Sequence, residues 1–202
     1  MVQISKACYF LYFSSFVVRG TNAFAMNNSA GKARNISSTT KRWMAEKQSL
    51  PVMASEDVMS TKAHGTSEKP VMKDLKWNCD YETADRICNF NRHYAESAGY
   101  WQTTDYLEQV SKTEPTKYYD SVTGAHLYTA PIGRTMEAYV KESLSHGWPS
   151  FRDEEVNWDY VRCLPNGECI STTGTHLGHN LPDGKGNRYC INLVCIAGQP
   201  SE

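Results

Sequence analysis

The sequence predicts a mainly β domain with antiparallel strands and a few short helices, preceded by a helical extension. After Trp148 the chain consists of short β-rich segments separated by turn signals, whereas apolar residues at helical spacing lie before it. The 202 residues, 40% of them hydrophobic, suffice for one ordinary core plus a targeting segment. The net charge of -1 offers no basic surface for phosphates, so nothing indicates nucleic-acid binding.

Residues 1–23 have the features of a secretory signal peptide. Lys6 supplies a positive charge, the apolar run ACYFLYFSSFVV follows, and small residues precede a cleavage site after Ala23. Because this run is too short to span a bilayer, a signal peptide is favoured over an anchor, and no stable membrane association is expected.

Residues 24–50 have the composition of a transit segment, rich in Ser, Thr, Asn and basic residues with Glu46 as the single acid. The junction NAFAM, with Phe24 directly after the cleavage site, resembles the bipartite plastid presequences of algae with complex plastids. We therefore expect entry into the secretory pathway followed by import into a plastid, with secretion as the alternative. Residues 51–72 mix Pro, Ser, Thr and charges without periodicity and are interpreted as a linker.

Three helices are predicted between the linker and Trp148. The extension, residues 73–104, contains a helix over DRICNFNRHYAESA (85–98), and a short helix starts at Asp105, where Glu108 completes a capping-box pattern. The third covers residues 134–145. The core-facing residues are Ile87, Phe90, Tyr94 and Ala98 in the first helix, and Met136, Val140 and Leu144 in the third.

The strands of the domain at residues 105–198 are WDYVRCL and ECIST around Asn166-Gly167, THLGHN, and RYCINLVCIA after the turn PDGKGN. A two-residue turn at Asn166-Gly167 places the thiols of Cys163 and Cys169 on opposite faces of the sheet. A three-residue turn that includes Pro165 places them opposite each other, and the sequence leaves both registers open.

The stretch THLGHNLPDGKGNRYCIN concentrates reactive side chains. If the chain turns at PDGKGN, Cys190 comes close to His176 and His179 on the neighbouring strand. The two histidines are three residues apart, which in a regular strand places them on opposite faces, but a bulge at Gly178 re-aims one ring.

A reactive cysteine needs positive charge to favour its thiolate and an acid to supply a proton. Arg188, two residues before Cys190 on the same strand face, is a candidate activator of the thiol. The two imidazoles can provide a proton at neutral pH, with Asp183 as the acid expected to orient one of them.

Three motifs, GWPSF (147–151), THLGHNLPDG (175–184) and RYCIN (188–192), resemble the methionine-R-sulfoxide reductase family, the type B enzymes. Their order and spacing agree with the family, and TEPTKYYDSVTGAHLY upstream is similar to its TEPPFSGxYxD segment. The resemblance covers roughly residues 105–196 and implies a small barrel-like antiparallel fold of the Mss4-like, β-tent type. The residues that it implies for catalysis are Cys190 as nucleophile, His176, His179, Asp183, Arg188 and Asn192, with Trp148 against the substrate methyl group.

The activity implied is the reduction of methionine-R-sulfoxide, in oxidised proteins or as the free amino acid. Thiolate attack by Cys190 leaves a sulfenic acid, which thioredoxin, glutaredoxin or another thiol then reduces. No bound cofactor is implied, and we expect a monomer.

The sequence departs from the family at two sites. Where many members carry two CxxC pairs for a structural zinc, this chain has SVTGAH and ISTTG, so we predict a zinc-free protein. The common resolving cysteine is replaced by His146, which leaves direct reduction by an external thiol as the favoured route. The internal candidates for resolving Cys190 are Cys195, Cys163 and Cys169, followed by Cys79 and Cys88.

Two alternatives remain open at this point. A zinc-binding module formed by His176, His179, Cys190 and either Cys163 or Cys169 has suitable ligand types, but it leaves Arg188 and Trp148 without a role. The other alternative is a binding protein for methionine sulfoxide that has the pocket without turnover.

The targeting prediction can be tested with residues 1–60 fused to a fluorescent protein and expressed in an alga with a complex plastid. We expect the fluorescence to coincide with the plastid, because a signal peptide followed by a transit-like segment gives a two-step address. Fluorescence in the culture medium would instead support secretion.

Overall fold

Antiparallel strands form the framework of the protein in a computed structural model, which describes residues 49–201. The predicted signal peptide and nearly all of the predicted transit segment, residues 1–48, lie outside the described residues. Within residues 49–201, no helix combines the length and the apolar character needed to cross a membrane.

The seven strands within residues 49–201 belong to two sheets. They are β1 (Thr116–Tyr119), β2 (His126–Ala130), β3 (Ser150–Phe151), β4 (Val161–Cys163), β5 (Glu168–Ser171), β6 (His176–Asn180) and β7 (Tyr189–Ile191). β1 pairs with β2, and the other five form one sheet in the order β3-β7-β6-β5-β4, with every pair antiparallel. The predicted mainly β, antiparallel fold class is confirmed.

The hairpin between β4 and β5 has the longer of the two turns considered. The Leu164 N–H donates to the carbonyl of Glu168, and the Gly167 N–H donates to the carbonyl of Leu164. Cys163 therefore lies directly opposite Cys169, and their sulfur atoms are 3.6 Å apart in the interior.

The helices are short, and the first ends earlier than the sequence predicts. They are α1 (Tyr81–Asp85), continued by a π-helical turn at Arg86–Phe90, α2 (Tyr106–Gln109) and α3 (Met136–His146). The prediction of a helix over 85–98 was wrong beyond Phe90, and Phe90 and Tyr94 are 58% and 67% exposed. Tertiary contacts overrode the helical spacing, because the following residues extend towards buried partners on β5 and in the turn after β7.

The other helix predictions were correct in place but not in detail. Asp105 precedes α2 without a side-chain capping bond, whereas Thr135 caps α3 by accepting from the Ala138 N–H. The buried face of α3 carries Tyr139 and Ser143, one residue before the predicted positions, so Leu144 is exposed. The apolar residues after β7 form a 3₁₀ turn at Leu193–Cys195 rather than continuing the strand.

Residues 51–72 do not have the character of a linker. The Cys163 N–H donates to the carbonyl of Val52, and the Ala54 N–H donates to the carbonyl of Cys163, both at 2.9 Å. β4 is the edge strand of its sheet, so this segment satisfies backbone groups that the edge would otherwise leave unpaired. Met59 of this segment also packs with Leu164 and Ile170 in a small buried cluster. Composition predicted a linker because such isolated contacts leave no periodic pattern in the sequence.

The extension and both sheets share one hydrophobic core. Trp101 and Tyr106 are fully buried, and the hydroxyl groups of Tyr106 and Tyr118 lie 2.5 Å apart. Tyr118 in turn packs edge-on against Phe151 of β3, with ring centroids 5.1 Å apart. Residues 73–104 are therefore part of the same packed unit as the strands.

A bulge interrupts β6. Gly178 pairs with Cys169, and His176 pairs with Ile170, so Leu177 is the extra residue on β6. A Cβ atom at Gly178 would lie 2.1 Å from the carbonyl oxygen of Cys190. Because glycine has no side chain, β7 can approach β6 this closely. The predicted bulge between the two histidines is confirmed.

Replacing Gly178 with alanine should destabilise the sheet, because the added methyl group overlaps the backbone of β7. We expect Gly178→Ala to lower the free energy of unfolding by about 1–3 kcal/mol, measured by urea denaturation. Gly184→Ala is the matched control, since nothing lies within 4 Å of its added Cβ, and its effect should stay within about 0.5 kcal/mol. Equal stability of the two variants would contradict the close approach of β7.

Candidate active site

Four neighbouring strands place one residue each in a row across the five-stranded sheet. Ser150 of β3 pairs with Cys190 of β7, Cys190 pairs with His179 of β6, and His179 pairs with Glu168 of β5. Directly paired residues project from the same face of a sheet, so a hydroxyl, a thiol, an imidazole and a carboxylate are brought together.

The bulge at Leu177 adds the second histidine to this row. His176 and His179 both face the same cavity, and their ring centroids are 5.7 Å apart. In a regular strand, residues three apart would project from opposite faces. Leu177, between them, points into the core and is fully buried.

A cavity of about 300 Å³ lies above this row. Its lining includes Trp148, His176, His179, Cys190, Asn192 and residues 93–95. Five sequence-predicted site residues thus border one space, in which Cys190 is the only partly accessible cysteine among the described residues.

The thiol of Cys190 has a cationic partner. Nη1 of Arg188 donates to Sγ of Cys190 at 2.5 Å, and the Ser150 hydroxyl lies 3.8 Å from the same sulfur. The Arg188 side chain is largely buried, so its charge is poorly screened by water. The sulfur therefore receives a charge-assisted hydrogen bond from a guanidinium.

Asp183 does not orient either histidine. Its carboxylate accepts two hydrogen bonds from Arg152, at 3.1 and 2.8 Å, and lies 3.5 Å from Nε of Arg188. Hydrogen bonds from Arg152 and from the Lys185 backbone hold the pKa of Asp183 well below its usual range. Asp183 therefore reaches the thiol only through Arg188.

The acid that does orient a histidine is Glu168, a residue that sequence reasoning missed. Its Oε1 lies 2.7 Å from Nδ1 of His176, and both side chains are almost completely buried. Because Nδ1 is engaged, the other ring nitrogen of His176, Nε2, is available to a ligand in the cavity that His176 lines. The available signal was an acid just after the Asn166-Gly167 turn, where the hairpin faces the HLGH segment.

The charges of the row follow from these contacts. Burial raises the pKa of Glu168, but hydrogen bonds from His176 and Arg92 outweigh it and bring the pKa down to about 2. Burial and the neighbouring His176 lower the pKa of His179. At neutral pH the row therefore contains a carboxylate at Glu168 and a neutral imidazole at His179.

Trp148 and Asn192 are held by the extension. Nε1 of Trp148 donates to the carbonyl of Glu96 at 3.1 Å. Oδ1 of Asn192 accepts from the Glu96 N–H at 3.0 Å, while Nδ2 of Asn192 donates to the carbonyl of Leu177. Both polar ends of the Asn192 amide are thus engaged by backbone, which makes it a fixed part of the cavity wall.

The candidate resolving thiols do not face the cavity. Cys169 follows Glu168 and pairs with Gly178, so its side chain and that of its partner Cys163 project from the opposite face of the sheet. Cys195 lies in the core beside Cys88, where burial raises the pKa of both thiols.

The described residues do not offer a metal centre. Within residues 49–201, no three His, Cys, Asp or Glu side chains are grouped so that they could hold an ion. The zinc-module alternative therefore receives no support from this part of the chain, and the turns at 121–126 and 170–174 contain no thiol.

Comparison with curated proteins finds relatives that are named peptide methionine sulfoxide reductase MsrB. The relative from Pseudomonas entomophila is 42% identical over 67 residues, which cover 28% of this chain and 50% of the relative. The one from Leifsonia xyli is 30% identical over 95 residues, 41% of this chain and 68% of the relative. The one from Methanosarcina mazei is 32% identical over 90 residues, 39% and 64% respectively. No family model and no solved structure matches the chain.

The fold and the site define a mainly β protein in which one thiol, three imidazoles and an indole border a single cavity. The chain belongs to the MsrB family, because its 30% identity with the Leifsonia xyli relative extends over 68% of that protein. It spans between half and about two thirds of the length of these curated relatives. The resemblance drawn from the motifs GWPSF, THLGHNLPDG and RYCIN is thereby confirmed.

Replacing Arg188 should make Cys190 less reactive, because the arginine donates a charge-assisted hydrogen bond to the sulfur. We expect Arg188→Met to slow alkylation of Cys190 by iodoacetamide at neutral pH roughly tenfold, followed by mass spectrometry of the peptide. Lys185→Met is the control, because it removes a charge from the same turn region and the largely exposed Lys185 does not contact the thiol. In this variant Cys190 should be alkylated at the wild-type rate. Equal slowing in both variants would point to net charge instead of the hydrogen bond.

Proposed function

We propose that the protein reduces methionine-R-sulfoxide to methionine, with Cys190 as the nucleophile. The observation that carries this proposal is the Cys190 thiol, held by Arg188 in the cavity that also contains both histidines and Trp148. The names of the curated relatives support methionine sulfoxide as the substrate.

The reaction requires a thiolate and an acid at the same time. The sulfoxide sulfur becomes electrophilic when its oxygen accepts a proton, and in this proposal the imidazole of His176 or His179 delivers that proton after taking one up from solvent through the open cavity. Overall, the oxygen passes from the substrate sulfur to Sγ of Cys190, so methionine is released and a sulfenic acid remains. The thiolate supplies the electron pair, and one proton is taken up with the oxygen.

Trp148 supplies the selectivity for one epimer in this proposal. Its indole nitrogen is engaged by the Glu96 carbonyl, which fixes the ring as a flat apolar wall of the cavity. The S-methyl group packs against this wall while the oxygen points towards the histidines, and only one configuration at sulfur satisfies both contacts.

An external thiol completes the cycle. Two thiol groups of a thioredoxin, a glutaredoxin or another thiol reductant reduce the sulfenic acid to the Cys190 thiol, releasing water and a disulfide. The positions of Cys163, Cys169 and Cys195 away from the cavity favour this route over an internal resolving cysteine. Because the cycle needs reducing conditions, the plastid stroma suits it better than the extracellular space.

Oxidised proteins and free methionine sulfoxide are both proposed substrates, and a monomer without structural zinc is the proposed state. The competing function is a methionine-sulfoxide binding protein without turnover, which the replacement of the common resolving cysteine by His146 suggests. The two functions differ only in catalysis.

A single-turnover experiment separates them. The pre-reduced protein is mixed with an excess of a methionine-R-sulfoxide peptide without reductant, beside Cys190→Ser and Cys163→Ser. We expect one methionine per chain from the wild type and from Cys163→Ser, none from Cys190→Ser, and a sulfenic acid that dimedone traps on Cys190. No methionine from the wild type, with Cys190 still free, would favour the binding protein. A new disulfide in place of the trapped sulfenic acid would identify an internal resolving cysteine.

A further inference from the structure

Residues 91–98, which the sequence analysis placed in a helix, lie against the active site instead. Between Arg92 and Glu96 the chain lines the cavity with His93, Tyr94 and Ala95. At its first end the Arg92 side chain binds Glu168, and at its other end the backbone of Glu96 binds Trp148 and Asn192.

At the first end of the stretch, two nitrogen atoms of Arg92 donate hydrogen bonds to the carboxylate of Glu168. Nε of Arg92 lies 3.0 and 3.1 Å from the two carboxylate oxygens of Glu168, and Nη2 lies 2.6 Å from Oε2. Oε1, which shares the Nε contact, is also the atom that faces Nδ1 of His176 at 2.7 Å. A planar guanidinium held in this way fixes the plane of the carboxylate as well as its charge.

At its other end, Glu96 is buried and caps the turn that follows β7. Its two carboxylate oxygens accept from the N–H groups of Leu193 and Val194, at 2.9 and 3.1 Å. Because the backbone of Glu96 also binds Trp148 and Asn192, the whole stretch has a defined position over the sheet.

We propose that Arg92 is a positioning residue for His176: it fixes the Glu168 carboxylate that holds the imidazole, so that the extension completes the active site. The proposal rests on the proposed function only for the reaction that His176 serves. Arg92 itself touches no reacting atom.

The surrounding charges explain why an arginine is needed. His176 and Arg92 are the hydrogen-bonding partners of the Glu168 carboxylate, while His179 and His93 face the row from β6 and from the extension. Without Arg92, the buried Glu168 carboxylate has one hydrogen-bonding partner fewer and can rotate about its side-chain bonds. On the outer side Arg92 also pairs with Glu56, which is largely exposed and contributes little to its orientation.

The experiment compares the full chain with Arg92→Gln, Arg92→Lys and the control Glu56→Gln. Histidine-selective ¹⁵N NMR follows the Nδ1 proton of His176, and single-turnover reduction follows the reaction. In Arg92→Gln we expect the Nδ1 proton of His176 to exchange with solvent roughly tenfold faster, because a charge-assisted contact to Glu168 is lost. For the same reason we expect its single-turnover rate to fall roughly tenfold. Arg92→Lys keeps the charge without the planar guanidinium, so both of its rates should lie between those of the wild type and of Arg92→Gln. Glu56→Gln should have the wild-type rates.

Chemical rescue distinguishes positioning from a general loss of structure. Millimolar guanidinium added to Arg92→Ala should restore both the protected Nδ1 proton and part of the turnover rate, since Arg92 is about a quarter exposed and its site can be reached. The proposal is overturned if Arg92→Gln or Arg92→Ala is folded by circular dichroism and exchanges the His176 proton at the wild-type rate. It is also overturned if neither the Arg92→Lys substitution nor added guanidinium recovers the lost proton protection and turnover rate. If the wild type itself fails to reduce sulfoxide while the proton still depends on Arg92, the proposed function fails and the positioning role stands.

Discussion

The extra residue in β6 is the constraint on which the active site depends. With Leu177 inserted opposite β5, His176 and His179 project into one cavity, although their spacing would otherwise separate them. The bulge is tolerated because Gly178 lets the carbonyl of Cys190 approach where any side chain would collide. One local irregularity therefore sets both the position of the imidazoles and their distance from the thiol on β7.

Carboxylates paired with arginines connect the active site to the elements around it. Arg152 joins Asp183 on the exposed turn to Glu142 of α3, and Glu142 also binds Arg134. Arg134 donates to the carbonyl of Ser150, the residue beside Cys190 on the neighbouring strand. Since a buried carboxylate is costly without its partner, these pairs fix the turn and α3 relative to the sheet. Glu168 and Arg92 form the corresponding pair on the opposite side of the site.

The sequence predicted those parts of the site that depend on short separations along the chain. Cys190, Arg188 and the two histidines lie within one hairpin, so turn signals and strand alternation were enough to bring them together. Glu168 was missed because its contact with His176 crosses a second hairpin with an irregular register. Arg92 lies 76 residues from its partner Glu168, and the helical spacing around it favoured a different structure. Long-range pairs of this kind have no local signature.

The distribution of thiols limits how the site can be regenerated. Cys163 and Cys169 face the core side of the sheet, and burial raises the pKa of Cys88 and Cys195, so these two remain protonated and are poor nucleophiles. A thiol that reaches Cys190 must therefore enter through the mouth of the cavity, where Tyr94 is largely exposed and His93 lies beside it. In the proposed reaction, substrate and reductant would therefore pass beside the stretch that carries Arg92.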